Sequence, residues 1–499
     1  IKSSKTLHLE ADMYKRHLNQ ISLLDDPEMF DGIKLDKNNE WVKLAKIIPW
    51  SELEEMYADQ FKSRTGQPAI SFRMALGSLL IKERYGFSDE ETVAQITMNP
   101  YLQYFIGLGS YTTTSPFDSS MMTRFRKRIT PQMLSEINDQ IIGRPKKKDD
   151  DSDKGSGNDG SGEGTTETKP EETSKQGTLI LDATCAPQNI QFPTDARLLN
   201  DARVLTEKII DSLHEAGLTE GKKPRTYREK AKKQYNRFSK NRKKTKKLIR
   251  KTIGQQLRYL RRNLGHIEKI AVKYPEYLKH LAPWLRERLA VIRMLYEQQK
   301  EMSESGTHRI SDRIVSLSQP WVRPIVRGKQ TADVEFGAKV EMSDVGGYLR
   351  VEDLRWNAFN ESTTLQASVE SYRECYGCYP ERVLADKIFR TRENLKYCKE
   401  RGIHLNGPKL GKPNQDPKVR KAQQYQEWLE SGERGDIERR FGISKRCYSL
   451  GLVMTKLKHT SEVSIHLSVL TLNLQRKLRL LLRTFFRLLL MPLPAYVVQ

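Results

Sequence analysis

From 51 to 142 apolar positions recur at helical spacing, and the segment reads as several short helices. Ser88 with Glu91 three residues later forms a capping box at a helix start, with Phe87 placed as its hydrophobic staple. Breaks fall at Asn99-Pro100 and across the polar stretch 110–120, and the helix predicted over 120–129 follows. Residues 143–177 contain no large apolar side chain. They cannot offset chain entropy by burial, so a flexible linker is expected there. The pattern then changes: 178–185, mostly aliphatic and β-branched, reads as a buried strand, and 196–303 is a long helical stretch. Over 334–342, Phe336, Ala338, Val340 and Met342 alternate with Glu335, Gly337, Lys339 and Glu341, which is the period of a strand, and 347–354 is its predicted hairpin partner across a turn at 343–346. A helix (362–375), a strand (382–386), a helix (393–401) and a strand (403–406) follow, then a basic loop and a helix around 436–446. Strands first antiparallel and then alternating with helices predict an α/β fold with a mixed sheet, preceded by an all-α domain.

Charge sharpens this picture. The 499 residues carry 86 lysines and arginines against 63 acids, a net charge of +23, with 37% hydrophobic and 30% charged residues. The length allows about two or three domains, and the excess of base points to a polyanion, nucleic acid before an acidic membrane surface. Sixteen lysines and arginines fall between Lys222 and Lys251 against the single acid Glu229, a net of +15, with Tyr227, Tyr235 and Phe238 interleaved as stacking groups. Within that run Lys232, Lys233, Arg242, Lys243, Lys246 and Lys247 are taken as DNA contacts. The helix at 120–129 carries Arg124, Arg126, Lys127 and Arg128, and fits equally a helix-turn-helix-like reader of DNA and a bundle with a solvated basic face.

Five cysteines are too few for a disulfide framework, and no secretory leader is read at the start, so a reduced, cytoplasmic protein is expected. The leucine-rich stretch 467–490 is interrupted by Arg476, Lys477, Arg479, Arg483 and Arg487. No run of roughly 18 uncharged apolar residues survives in it, and it is expected to pack on the core rather than span a membrane.

Three acids stand where a sheet would present them. Asp182 lies inside the first strand between Leu181 and Ala183, where a carboxylate is costly unless paired or bound to a metal. Asp386 ends a later strand, at the carboxyl edge where open α/β sheets place ligands. Glu438 lies on the late helix, with Arg434 four residues before it and Lys445 seven after, all on one face. Ile437, Phe441 and Tyr448 form an adjacent apolar stripe for packing. Two aspartates and a glutamate are hard oxygen donors suited to Mg2+ or Mn2+. Two such ions, roughly 3.5–4 Å apart, would activate water or a 3′-hydroxyl at a phosphodiester. By spacing alone, a surface helix with salt bridges one turn apart accounts for the last segment better.

At Leu-Asp-Ala-Thr-Cys (181–185), Val-Glu-Phe-Gly-Ala-Lys (334–339), Leu-Ala-Asp-Lys (384–387) and Arg434-Glu438-Lys445, with Arg-Pro-Ile-Val-Arg-Gly-Lys (323–329), the chain resembles bacterial insertion-sequence transposases of the DDE type. The Arg434-Glu438-Lys445 set looks like that group's Y-x2-R-x3-E-x6-K signature, except that Ser431 stands in the tyrosine position. The resemblance implies an RNase H-like catalytic core over 178–475 with a basic helical insertion at 196–308. It further implies a helical DNA-binding domain at 51–142, an N-terminal arm at 1–50 and a basic leucine-rich tail at 476–499. It implies Asp182, Asp386 and Glu438 as the catalytic, metal-binding triad for two Mg2+ ions, with Mn2+ as substitute, and Arg434 and Lys445 as contacts to the element's end. The implied enzyme nicks double-stranded DNA at its own terminal inverted repeats and joins the 3′ ends to target DNA, as a homodimer on paired ends. The start at Ile1 and Ser431 keep open a decayed protein that only occupies DNA, and a nuclease of branched DNA shares the metal chemistry. Cys375 and Cys378 lack the further ligands of a zinc site at suitable spacing and are expected to be idle or buried thiols. Trp356 is expected in the core rather than as a platform for a flipped base.

Overall fold

The computed structural model describes residues 30, 33–61, 69–143, 175–219, 221–326, 334–408 and 416–489, the last six by backbone alone. Most of the expected arm at 1–50, nearly all of the expected linker at 143–177, and residues 327–329 of the Arg-Pro-Ile-Val-Arg-Gly-Lys segment lie outside the described residues.

The N-terminal part is all helical: α1 (Glu40–Ile47), α2 (Trp50–Ala58), α3 (Phe72–Tyr85), α4 (Asp89–Met98), α5 (Pro100–Phe105), α6 (Met121–Arg128) and α7 (Pro131–Ile142). The capping box starts α4 as expected. The Ser88 hydroxyl accepts from the Glu91 amide at 3.1 Å, and the Glu91 carboxylate accepts from the Ser88 amide at 2.8 Å. Asn99 caps α5, with Pro100 at the first helical position, where its missing N–H costs nothing.

The sheet begins with β1 (Thr178–Pro187) and continues with β2 (Arg323–Val326), β3 (Val334–Val345), β4 (Tyr348–Arg355), β5 (Arg382–Leu384) and β6 (His404–Leu405). β3 lies antiparallel to β1, with Asp182 opposite Met342 and Ala183 opposite Glu341. On the other side of β1, β5 runs parallel, Ile180 opposite Leu384, and β6 runs parallel to β5. β4 returns antiparallel along β3, and β2 pairs the start of β3. This is the mixed sheet of an RNase H-like core. The β3–β4 turn is two glycines, Gly346 and Gly347, with φ of 59° and 88°. Both left-handed positions of so short a hairpin turn exclude most side chains. The turn thus begins later than expected, because β3 extends through Val345.

One face of the sheet is covered by α12 (Leu365–Tyr376) and α13 (Arg392–Glu400), with Leu179, Leu181, Val369 and Phe389 in the layer between. The other is covered by α14 (Pro417–Cys447) and α15 (Lys458–Leu489), with Val340, Met342, Ile437, Phe441 and Ile465 beneath them. Both faces are buried, which is why Glu341, read as a polar position of β3, is fully buried. Trp356 packs against Trp321 in the core and donates to Glu462 at 2.9 Å.

Between β1 and β2 stands the insertion: α8 (Asp195–Glu215), α9 (Arg228–Lys240), α10 (Lys246–Lys273) and α11 (Pro283–Ser305). Leu199, Ile209, Leu260, Ile267, Leu289 and Ile292 give it a hydrophobic core of its own.

α15 joins the other two bodies. Its Val463, Leu467, Leu470, Leu474 and Leu478 complete the core of the N-terminal helices, while Ile465, Val469 and Leu472 enter the layer under the sheet. Asn473 donates to the Asn138 side chain and to the Leu349 carbonyl, both at 2.7 Å, tying α7, β4 and α15 together. Buried Glu83 of α3 accepts from Ser464 at 3.2 Å and Ser468 at 3.5 Å, and burial pushes its carboxyl up to about 7. The boundary expected between 475 and 476 therefore falls inside one continuous helix, whose apolar residues serve two cores at once. Among the described residues no helix is long and apolar enough to cross a membrane.

Candidate active site and nucleic-acid interface

Asp182 sits in the middle of β1 on the face that α14 covers, because alternate residues of a strand share a face and its partner Met342 lies in that layer. One carboxylate oxygen accepts from the Ala183 amide at 2.8 Å. The other lies 4.0 Å from an Arg434 nitrogen, and the same guanidinium reaches Glu438 at 3.4 Å. Arg434 therefore bridges the two acids from one turn of α14. Burial pushes the Asp182 carboxyl up to about 6. The negative charges of Glu361 and Glu438 add to that, and the Ala183 amide and Arg434 oppose it.

Asp386 lies two residues beyond the paired end of β5 and caps a 3-10 turn at Lys387–Phe389, accepting from the Lys387 amide at 2.7 Å. Its side chain is exposed. The parallel register puts Ile180 opposite Leu384; Asp182 stands two residues further along β1, and Asp386 two residues past the end of β5. Glu438 is 58% exposed, free to move toward a ligand. Lys445 is half-buried two turns further along α14, about 10 Å from Glu438 at 1.5 Å rise per residue.

Sequence reasoning missed one neighbour of Asp182. Glu361, in a 3-10 turn between β4 and α12, pairs with Lys339 of β3 at 2.8 Å. It is close enough to Asp182 to hinder its ionisation. Asn360 capping that turn is the only local signal, and it marks a turn rather than a site. The helical reading of 436–446 also fell short, since α14 starts at Pro417 and holds Gly432, Gly435 and Gly442 in its interior.

Among the described residues no three histidine, cysteine, aspartate or glutamate side chains converge closely enough to hold a metal ion. The donor chemistry nonetheless fits one. All the acids are hard oxygen ligands, Asp182 and Glu438 repel each other across Arg434, and burial around Asp182 leaves a need for positive charge.

The basic residues divide sharply. Lys232, Lys233, Arg242, Lys243, Lys246 and Lys247 are exposed, and among the described residues none of the six is in an ion pair. On α9 only Ala231 is buried. Arg124 and Lys127 on α6 are exposed too. Arg126 is a correction: it is buried, and its guanidinium is held by both Asp89 carboxylate oxygens at 2.9 and 2.5 Å, so it ties α6 to α4 instead of facing DNA. Arg128 lies half-buried with its guanidinium 4.3 Å from the Phe61 ring centre, a cation–π contact that limits its reach.

Residues 31–128 match the family described as Transposase domain (DUF772), and residues 383–475 match the Transposase DDE domain. Both matched segments are transposase domains, and together they indicate an insertion-sequence DDE transposase. The DDE match spans β5 through most of α15 and includes Asp386, Arg434, Glu438 and Lys445. Asp182 and the basic insertion lie outside both matches. The chain is also 33% identical over 157 residues to a Rhizobium meliloti protein described as "Uncharacterized protein ORF8 in nfe locus". That alignment covers 32% of this chain and 66% of the relative, just under two thirds of its length. No solved structure matches the chain.

Proposed function

We propose that this transposase cuts double-stranded DNA at the terminal inverted repeats of its own element and joins the freed 3′ ends to target DNA. Asp182, Asp386 and Glu438 are its catalytic, metal-holding acids. The observation that carries the reading is the β1–β5 register together with the Arg434 bridge: Asp182 on β1, Asp386 just past the paired end of the parallel neighbour β5, and a glutamate tethered to Asp182. When bound to these acids, two Mg2+ or Mn2+ ions would activate water or a 3′-hydroxyl and stabilise the leaving oxygen.

The protein's own groups do the rest. Asp182 is fixed by the rigid strand and its amide bond to Ala183, whereas Glu438 swings on the exposed side of α14, so the site closes from the helix side. Arg434 keeps Glu438 beside Asp182 before DNA arrives and then offers a planar fork to a phosphate, with Lys445 reaching a second phosphate along the strand. The basic run of α9 and α10 holds the duplex by its backbone, away from the chemistry. We further propose a homodimer on paired ends, acting in the cytoplasm.

The second reading, a protein that occupies DNA without cutting it, is favoured by Ser431 and by the acids not converging among the described residues. A strand-specific cleavage assay on the DNA flanking the gene decides between them, comparing the wild type with Glu438→Gln in Mg2+ and in Mn2+. Nicks at the repeat boundary from the wild type alone are expected. Binding with no nick in either metal would shift the conclusion to the non-cutting protein.

A further inference from the structure

Behind α14 lies a cavity of about 170 Å³, bounded by α14, the β3–β4 turn and α15. Four arginines line it: Arg440 from α14, and Arg476, Arg479 and Arg483 from a single stripe of α15. Its floor is apolar, with Ile443, Leu472 and Tyr448. Among the described residues no acid lines it. The nearest carboxylate in contact is that of Asp344, buried on β3, 2.9 Å from Arg440.

Two of the guanidiniums are held in place by the turn. Arg440 donates to the Gly347 carbonyl at 2.9 Å and Arg476 to the Gly346 carbonyl at 2.8 Å. A Cβ at position 347 would overlap both arginine heads, so the bare glycine is what lets them close over the turn. Arg476 Nε is buried with no hydrogen-bond partner, and among the described residues neither Arg479 nor Arg483 is in an ion pair. Asp344 balances Arg440, which leaves Arg476, Arg479 and Arg483 as like charges on one side of the cavity, and an oxyanion is the ligand that relieves their repulsion. Arginine forks match phosphate geometry, and the aliphatic floor suits the C–H face of a deoxyribose.

Arg440 is two residues from Glu438, which at about 100° per residue puts them on opposite flanks of α14. This is therefore a different place from the cutting site. We propose that the cavity binds a phosphate oxyanion, and that in the working complex this is a backbone phosphodiester of a DNA segment other than the one presented to Asp182 and Glu438. The DNA half of the proposal rests on the transposase reading; the oxyanion half does not.

The test is phenylglyoxal modification of the full chain, read at Arg479 and Arg483 by mass spectrometry, with no addition, with inorganic phosphate, or with duplex DNA. We expect both to slow modification several-fold, DNA at the lower concentration. The companion variant is Arg479→Glu with Arg483→Glu, both on exposed positions and checked for an unchanged melting profile. It should lower the salt slope of DNA binding by about 0.9, the value for the one phosphate no longer neutralised. Protection by phosphate alone, with an unchanged slope, would assign the cavity to free phosphate and overturn the DNA half. Unprotected arginines and an unchanged slope overturn the whole. A wild type that never nicks DNA but shows protection removes the transposase reading and leaves the cavity standing; nicking without protection does the reverse.

Discussion

On α9 six of thirteen residues are basic, only Ala231 is buried, and the lysines stand in water. At β1 and α14 the charged groups are few, and the one at the centre, Asp182, is mostly buried and shifted well off its ordinary titration. The first arrangement spreads a sequence-blind attraction over many interchangeable contacts, each screened by salt. The second concentrates a field at one place, where no neighbour can substitute. On the proposed function, affinity and chemistry are built by opposite uses of charge, and each should be open to disturbance without the other.

The sharpest break comes at the acids. Asp182→Asn should lower DNA cleavage by at least about a hundredfold, the lower end for a positioned catalytic group, while its dissociation constant for the repeats stays within twofold or so. An equal loss of binding would mean that the two regions are not separable.

Next in size is the basic run. Replacing Lys232, Lys233, Arg242, Lys243, Lys246 and Lys247 by alanine should flatten the salt dependence of binding by up to roughly five in slope, at about 0.9 for each phosphate that these residues neutralise. Titrations from low to physiological salt measure it; a slope equal to that of the wild type would leave the basic run from α9 into α10 as mere solvated surface.

A third prediction turns on pH. The folded pKa of Asp182, about 6, lies above its ordinary 3.8, so the native state binds this proton more tightly than the unfolded chain does. Its ionisation then costs stability as pH rises from about 4 to about 6, up to roughly 3 kcal/mol once complete. Asp182→Asn, inactive in cleavage, should for that reason be the more stable protein at pH 7.5 in a chelator, and no more stable at pH 4. Thermal melts at both values check this, and added Mg2+ should raise the wild type's melting temperature more than the variant's.

The smallest effect separates two neighbours on α6. Arg126→Ala should cost about 2 kcal/mol, somewhat less than breaking a fully buried pair, because Asp89 also has Lys82 at 2.9 Å. Arg124→Ala should change stability by less than about 0.5 kcal/mol and act on DNA binding alone. Urea denaturation beside a binding curve distinguishes them.

What was legible in the sequence was local. The capping box at Ser88 and the strands through Asp182 and Met342 depend on neighbours a few residues away, and each appears where expected, although the alternation read in β3 is lost because Gly337 and Glu341 are buried too. What was not legible depends on distant partners. Nothing near Arg126 announces Asp89, 37 residues earlier. The three interior glycines of α14 weaken any local helical reading, and packing of Ile437 and Phe441 on the sheet overrides them. Glu361 belongs beside Asp182 only because the sheet brings a loop after β4 back over β1. The leucines of α15 read as a tail because sequence shows amphipathicity but not that two separate bodies share it.

That sharing has a consequence for how the chain is made. Ser464 meets Glu83 across 381 residues. At about 5–20 residues per second of synthesis, the N-terminal helices wait roughly 20–80 s on the ribosome for the helix that closes their core. During that interval Glu83 remains hydrated and the groove meant for Leu467 and Leu470 stays open. A nascent or truncated chain ending before Lys458 is therefore a client for chaperones and proteases, and the N-terminal core matures only when α15 emerges.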